Sequence, residues 1–434
     1  MKILLISPRS SFLGRNSEFI KFFNQSPEME FYRQYWSGLG TGLLIVGALI
    51  PYSVDLELID ENVEEIDFKK KYDLVFITAM TQQVNRAYDI AKNFRSRNIK
   101  VVLGGIHATI LPEEASANSD SVVVGEVENV WPQIWDDFKH NKLKRIYSSK
   151  EIVDLKHSPV PRYELLKGKP YKMLWVQATR GCPHDCCFCC ASKVYGPKYR
   201  HKLLDQVVNE IAEIRKINKH AVIGFSDDNL FCNKDYSRKL LKRIAQLKIK
   251  WFGQSDISIA DDIDLLRAMK KSGCIALAIG FESIKRDNLQ GLDSSDWKMK
   301  QSDNYVRNIK TIQTNGIGII GTFIAGFDSD NSSTFQELAD FIINNHLAGA
   351  QIAALTPLPG TRIREQFISE DRVLDTPWKN YTFYDVNIKP AGMSAQELEK
   401  GILYVFKKVY SPEVAIGKAK YFKDIFHNIN QRSY

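Results

Sequence analysis

All seven cysteines of this chain lie after residue 181, and five of them (Cys182, Cys186, Cys187, Cys189 and Cys190) fall within nine residues. Cys232 and Cys274 are the other two. A secreted disulfide framework spreads an even number of cysteines along a short chain. An odd number crowded into one loop of a 434-residue chain points instead to a reduced, cytoplasmic setting and to a metal site. The length suggests two to three domains, each able to bury a core without a staple. At 44 % apolar and 25 % charged residues the composition is that of an ordinary globular protein, not a disordered or fibrous one. The formal charge of +8 is mild and no Lys/Arg block stands out, so nucleic acid is not an expected partner. The weakly basic surface leaves peripheral membrane contact open. The stretch from Met1 to Pro8 turns polar too soon for a signal peptide and reads as a first strand. The longest apolar run, 42–51, falls far short of the ~20 residues a spanning helix needs.

Strand-like and helix-like segments alternate from the start. Strands are expected at 2–7, 54–59, 73–78, 101–103 and 121–124, and helices at 38–50, 84–97 and 130–138. The strands are continuous apolar runs, as in a parallel sheet covered on both faces. Residues 1–140 therefore read as a doubly wound parallel α/β domain, which binds ligands beyond the C-terminal ends of its strands. Residues 141–170, polar and carrying Pro159, Pro161 and Pro170, read as a linker. A second series has strands near 174–178, 222–226, 251–254, 276–280, 318–325 and 350–356, with helices between them. Six β/α units in a row over 171–365 predict a partial (β/α)6 barrel. Residues 366–434 read as a small C-terminal α-rich region, with a helix expected over 395–409.

The cysteine loop starts where the first barrel strand ends, and barrel active sites sit at that face. Cys182, Cys186 and Cys189 form C-x3-C-x2-C, with Phe188 directly before the last thiol. Three thiolates can hold three irons of a [4Fe–4S] cubane and leave the fourth iron open. A zinc site normally uses four ligands in two separated pairs, and no second pair follows; His184 inside the loop is the other candidate ligand. Cys182, Cys187 and Cys190 offer an alternative C-x4-C-x2-C register. In the preferred register Cys187 and Cys190 lie behind the ligands.

This motif, placed at the end of the first of six β/α units, resembles the radical S-adenosylmethionine superfamily over roughly 171–360. The resemblance implies that the open iron is chelated by S-adenosylmethionine and that electron transfer releases a 5′-deoxyadenosyl radical. It implies Phe188 beside the adenine. Ser226-Asp227-Asp228 stands where the family usually has Gly-Gly-Glu for the methionine ammonium; carboxylates remain available there. Glu282 is expected at the ribose or methionine moiety, and Gly326 is expected to let backbone approach the adenosyl group. Read from the residues alone, Asp227 and Asp228 also suit a helix N-cap, and Gly326 a turn.

In the first domain, the stretch from Ile77 to Gln83, the stretch Gly104-Gly105-Ile106-His107, and Gly125-Glu126 resemble the cobalamin-binding domain fused to many of these enzymes. The G-x-G-x-x-G dinucleotide fingerprint is absent near the first strand. D-x-H-x-x-G is absent too, so the resemblance implies cobalamin bound without a histidine ligand. It implies a lower face near Met80, Thr81 and Gln82, a nucleotide tail admitted by Gly104 and Gly105, and His107 holding its loop. The cysteine-free first third argues against the related methylthiotransferases, which carry cluster cysteines there. Downstream, Trp378, Tyr381, Phe383 and Tyr384 cluster with Lys379 and Lys389 and either wall a cavity over the barrel mouth or, more commonly, form local core. This C-terminal part resembles radical enzymes acting on hopanoid-type lipids or natural products.

The expected activity is methylation of an unactivated carbon of a small-molecule or lipid substrate. A flavodoxin- or ferredoxin-type one-electron reductant is the expected partner. Two alternatives stay open: a radical ring formation, ring contraction or rearrangement without methyl transfer, and a non-catalytic cobalamin- or redox-responsive binding protein.

Overall fold

A computed structural model describes residues 1–10, 13–35 and 38–432. Six strands form the first sheet: β1 (Lys2–Ser7), β2 (Asp55–Asp60), β3 (Leu74–Thr78), β4 (Lys100–Gly104), β5 (Ser121–Val124) and β6 (Ile146–Ser148). They pair in parallel in the order β2-β1-β3-β4-β5-β6. The chain order reverses between β1 and β3, the switch point beside which sheets of this kind generally bind ligands. The sixth strand comes from the stretch read as linker, because Tyr147 is a short buried anchor inside otherwise polar sequence. Successive side chains serve opposite faces. Ile3 and Leu5 enter one core while Leu4 and Ile6 enter another, and Leu74/Phe76 and Val75/Ile77 divide the same way. The expected helices are present, two of them shorter at their ends (Thr41–Leu49 and Val84–Arg95) and the third shifted by one residue to Trp131–Lys139.

The barrel follows. Its strands are β7 (Met173–Val176), a two-stranded antiparallel pair β8 (Thr179–Arg180) and β9 (Arg200–His201), then β10 (Val222–Phe225), β11 (Trp251–Ser255), β12 (Cys274–Glu282), β13 (Gly318–Ala325) and β14 (Gly349–Ala354). Six run parallel in the order β7-β10-β11-β12-β13-β14, each neighbouring its predecessor, which is a partial (β/α)6 barrel. The buried residues on one face of the first sheet are continuous with the barrel core. The two domains thus share an apolar core, which fixes their orientation. Two helices, Ala395–Val409 and Pro412–Arg432, end the chain, the first packed on β14 and on the helix Thr334–Asn344. No helix among the described residues is long and apolar enough to cross a membrane.

The connection into β12 depends on Gly273, which has φ +98°. A Cβ there meets the carbonyl oxygen of Ile249. Gly273→Ala combines left-handed strain with that clash. It is expected to lower apoprotein stability by about 2–3 kcal/mol, read from the urea midpoint.

Candidate active site

Gly181 opens the cysteine loop with φ +88°, and a Cβ would strike the carbonyl oxygen of Lys198; only glycine turns here. The loop is pinned from two sides. Cys187 N–H donates to the Leu292 carbonyl at 2.7 Å, and Ile363 N–H to the Cys187 carbonyl at 3.1 Å. Ser294 N–H donates to the Asp185 carboxylate at 3.0 Å, and Arg362 lies 3.5 Å from the same carboxylate. The Cys187 side chain is half-buried against the core. Burial pushes the Cys186 and Cys189 thiols up to about 12 and raises Cys182 as well. Thiols that burial holds protonated are a donor set that iron converts to thiolate. Among the described residues no three His, Cys, Asp or Glu side chains converge as for a single ion. Thiolates that each hold a different iron of a cubane need no such convergence. His184 is turned elsewhere, 3.6 Å from Asp256 and packed on Trp297.

Beside the loop, β12 ends in strain. Glu282 has φ +62°, and the β12–β13 register slips between Gly280 and Glu282. Left-handed backbone at a non-glycine residue costs energy and persists where its surroundings over-determine it. Here the determinant is Lys298, whose buried Nζ donates to Glu282 Oε1 at 2.8 Å and lies 3.4 Å from the Gly280 carbonyl. Burial would lower the Lys298 ammonium, but Glu282 and Cys186 outweigh it, so it stays charged. The sequence reading missed Lys298, which sits in a polar helix with no motif to mark it. A cavity of about 180 Å³ adjoins this pair, lined by Phe188, Glu282, Phe323, Leu355, Leu358 and Phe383 among others. Phe188 and Glu282, assigned separately from sequence, thus face one space.

The residues after β10 divide. Asp227 is fully buried and accepts from Thr179 N–H, Thr179 Oγ1 and Ala178 N–H. Burial raises it to about 7. Its carboxylate holds the β7–β8 backbone and does not face the cavity. Ser226 likewise bonds back to the Val176 carbonyl. Asp228 has no hydrogen-bond or ion-pair partner among the described residues, and burial pushes it up to about 6. At the end of β13, Gly326 has φ +106° and donates to Asp330, and a Cβ there would press on Leu398. Packing and turn geometry require that glycine.

The cobalamin-type motifs gather at the C-terminal ends of β1, β3, β4 and β5. Gln83 donates to the Pro8 carbonyl at 2.6 Å, and Met80 N–H to Gln83 Oε1 at 2.9 Å, which orders the exposed Met80 and half-buried Gln82. Gly105 is forced by φ +97° and the closeness of Thr78 and Ala79. By contrast, a Cβ on Gly125 would meet nothing within 4 Å, and one on Gly104 only Val123 at 3.8 Å. Those two positions leave an open floor above the strands, which fits a flat cofactor. His107 is fully buried, with Nδ1 3.4 Å from Thr81 Oγ1 and Nε2 3.3 Å from Glu114. Burial lowers its pKa, and its ring holds the loop instead of reaching the floor.

Glu126 does not lie free at that edge. It accepts from Arg180 at 2.6 Å and pairs with Arg200 at 2.8 Å, while Glu128 pairs with Arg180 at 2.8 Å. Arg180 also donates to Gln177 at 2.7 Å. The glycine-floored edge is thereby bolted to the residue two positions before Cys182.

Sheet, barrel, thiol loop and open floor together define a radical S-adenosylmethionine enzyme with a cobalamin domain. The Radical SAM superfamily model matches residues 176–342, and the B12 binding domain model matches 45–134. The chain belongs to the radical S-adenosylmethionine superfamily and carries a B12 binding domain ahead of its barrel; its cofactors are a [4Fe–4S] cluster, S-adenosylmethionine and cobalamin. It is 29 % identical over 378 residues to the bacteriochlorophyllide d C-12(1)-methyltransferase of Chlorobaculum tepidum, covering 85 % of this chain and 82 % of that one. The C-8(2)-methyltransferase of the same organism is 28 % identical over 382 residues, covering 85 % and 84 %. Among solved structures, the radical S-adenosylmethionine methyltransferase TsrM from Kitasatospora setae superposes with a TM-score of 0.69 at 14 % identity, covering 95 % of this chain and 89 % of that one.

Arg180→Met leaves Glu126 and Glu128 without their shared cation in a buried site. It is expected to cost about 3 kcal/mol or more in the apoprotein, with Arg180→Lys intermediate, as read by thermal denaturation.

Proposed function

We propose that this enzyme methylates an unactivated carbon of a natural-product or lipid molecule. The observation that carries the reading is the Glu126–Arg180–Arg200 bridge, which holds the open floor of the first domain against the thiol loop of the barrel. A methyl donor bound on one side and a radical generated on the other act on one substrate only if their distance is fixed. When bound, the cluster and S-adenosylmethionine supply a 5′-deoxyadenosyl radical, and cobalamin supplies the methyl group.

The chain's own residues divide the work of holding these groups. Cys182, Cys186 and Cys189 hold the cluster, in a loop whose backbone is tied through Cys187 and Asp185. Phe188 packs beside the adenine. Asp228 is the carboxylate left to accept the methionine ammonium, because Asp227 already serves the backbone. Glu282, fixed by Lys298, orients the sugar or methionine end. Gly104 and Gly125 leave open space in which a corrin would lie, and the Met80–Gln82 loop would border it. A small flavodoxin- or ferredoxin-type protein supplies single electrons. The similarity to methyltransferases of bacteriochlorophyllide d favours methyl transfer over rearrangement.

Anaerobically reconstituted enzyme with reductant and S-adenosylmethionine is expected to form both 5′-deoxyadenosine and S-adenosylhomocysteine with bacteriochlorophyllide d or a related apolar substrate. 5′-Deoxyadenosine alone overturns methyl transfer in favour of rearrangement. Cys186→Ala is expected to abolish 5′-deoxyadenosine formation, and retained activity refutes this ligand register. Cobalt analysis of protein made with added cobalamin is expected to give about one equivalent, lost in Gly125→Trp, which fills the floor.

A further inference from the structure

A second cavity, of about 380 Å³, shares no lining residue with the one at Phe188 and Glu282. It lies where the segment 373–381 runs from the helix Arg362–Ser369 to the B12 binding domain. Two contacts fix that segment on the domain. Trp378 Nε1 donates to both oxygens of Glu114 at 3.1 Å, and Lys379 N–H donates to Asn85 Oδ1 at 2.8 Å. Trp378 and Asn85 both line the cavity, and Arg364 lines it from the barrel's last helix.

Arg364 is the cation of this lining. It is half-buried, and its guanidinium stands 5.1 Å from the Trp378 ring and 5.7 Å from the Tyr381 ring. Nη1 donates to the Pro357 carbonyl at 2.9 Å and to the Tyr381 hydroxyl at 3.0 Å. Among the described residues no carboxylate pairs with it, and Nε and Nη2 have no acceptor. A half-buried charge ordinarily has a counter-ion. Asn85 repeats the pattern, because its oxygen is taken by Lys379 N–H and its Nδ2 is left without an acceptor. The other charge on the lining, Asp375, is exposed and has no hydrogen-bond or ion-pair partner among the described residues. Val373, Leu374 and Pro377 supply apolar wall beside the Trp378 ring.

We infer that this cavity binds a small carboxylic acid with an apolar body. The Nε–Nη2 edge of a guanidinium matches the two oxygens of one carboxylate, and the two rings hold that edge in place before the ligand arrives. Asn85 Nδ2 is a further donor, and the apolar wall takes the body of the molecule. Asp375 on the same lining repels additional negative charge, so a monoanion fits and a polyanion does not. The inference does not rest on the methylation reading. Pro357, which Arg364 holds, stands between Thr356 and Leu358 of the first cavity, so one loop separates the two spaces.

The probes are 1-naphthoate and the neutral 1-naphthalenemethanol, titrated calorimetrically into the full-length protein. The wild type is expected to bind the acid at least tenfold more tightly than the alcohol. Arg364→Met is expected to lose that preference, and Arg364→Lys, which keeps the charge without the fork, to weaken the acid severalfold. Asp375→Asn removes a carboxylate that bonds to nothing, so its melting temperature is expected to be unchanged. Its affinity for the acid is expected to rise two- to fivefold and its affinity for the alcohol to stay the same. Equal binding of acid and alcohol by the wild type overturns the inference. So does acid binding that neither Arg364→Lys nor Asp375→Asn alters, a result that stands even where Arg364→Met fails to fold. In reconstituted enzyme, competition between 1-naphthoate and the methyl acceptor assigns the site to the acceptor's acid end. A change in rate without competition assigns it to a separate effector acid. Failure of methyl transfer with the binding results intact overturns the methylation reading alone.

Discussion

A guanidinium enclosed by two carboxylates and a glutamine is a rigid joint, because each partner that moves away leaves a buried charge behind. Arg180 is in that position, held by Glu126, Glu128 and Gln177. Burial alone would lower it, and Glu128 and Glu126 outweigh that, so the charge persists. Ion pairs on a surface contribute little and are screened, but this one lies inside the domain junction, continuous with a shared apolar core. The core brings one sheet face and the barrel together. The charges choose which edges meet: the segment after β5 on one side and the turn into Cys182 on the other.

Strain collects around the same junction. Gly181 and Gly105 take left-handed conformations that glycine tolerates. Glu282 and Phe383 take them without that freedom. Each is clamped by a neighbour that leaves no choice: Lys298 holds the Glu282 carboxylate, and the Ala354 N–H holds the Phe383 carbonyl. Both side chains are turned toward one cavity. Left-handed backbone also occurs at Asn98, Asn141, Lys248, Asp296, His346 and Asp371, none of which lines this cavity.

Much of this was legible beforehand because it is periodic or local. Continuous apolar strands announced parallel sheets, and five crowded thiols announced the loop. Tertiary pairing was not legible. The Gly125-Glu126 stretch looked like a cofactor contact, and only the glycine opens on the floor; the glutamate reaches an arginine 54 positions later. Asp227 and Asp228 are adjacent and chemically alike, yet one is enclosed by backbone N–H groups and the other is unpaired, a difference set by strand alternation across a turn. Lys298 gave no signal, since a lysine in a polar helix reads as a solvated face until β12 is seen to run behind it. Within the aromatic run, Tyr381 and Tyr384 are core and Phe383 is not. Composition could not separate them, because the distinction is a single backbone dihedral.

Charge placement and strain serve one end. A carbon radical generated next to mobile water or an unpaired acid meets competing hydrogen sources and quenching reactions, so the chamber has to be dry and electrically quiet. Apolar side chains line most of this one, and its only carboxylate is matched by an ammonium at 2.8 Å. The unmatched acid, Asp228, is not among the cavity-lining residues; its field acts on Cys182 and Cys189, beside the thiol loop where a substrate ammonium can neutralise it. The lone charge of Asp228 thus stands apart from a cavity whose one carboxylate is already paired, and charge is matched where the wall is otherwise apolar.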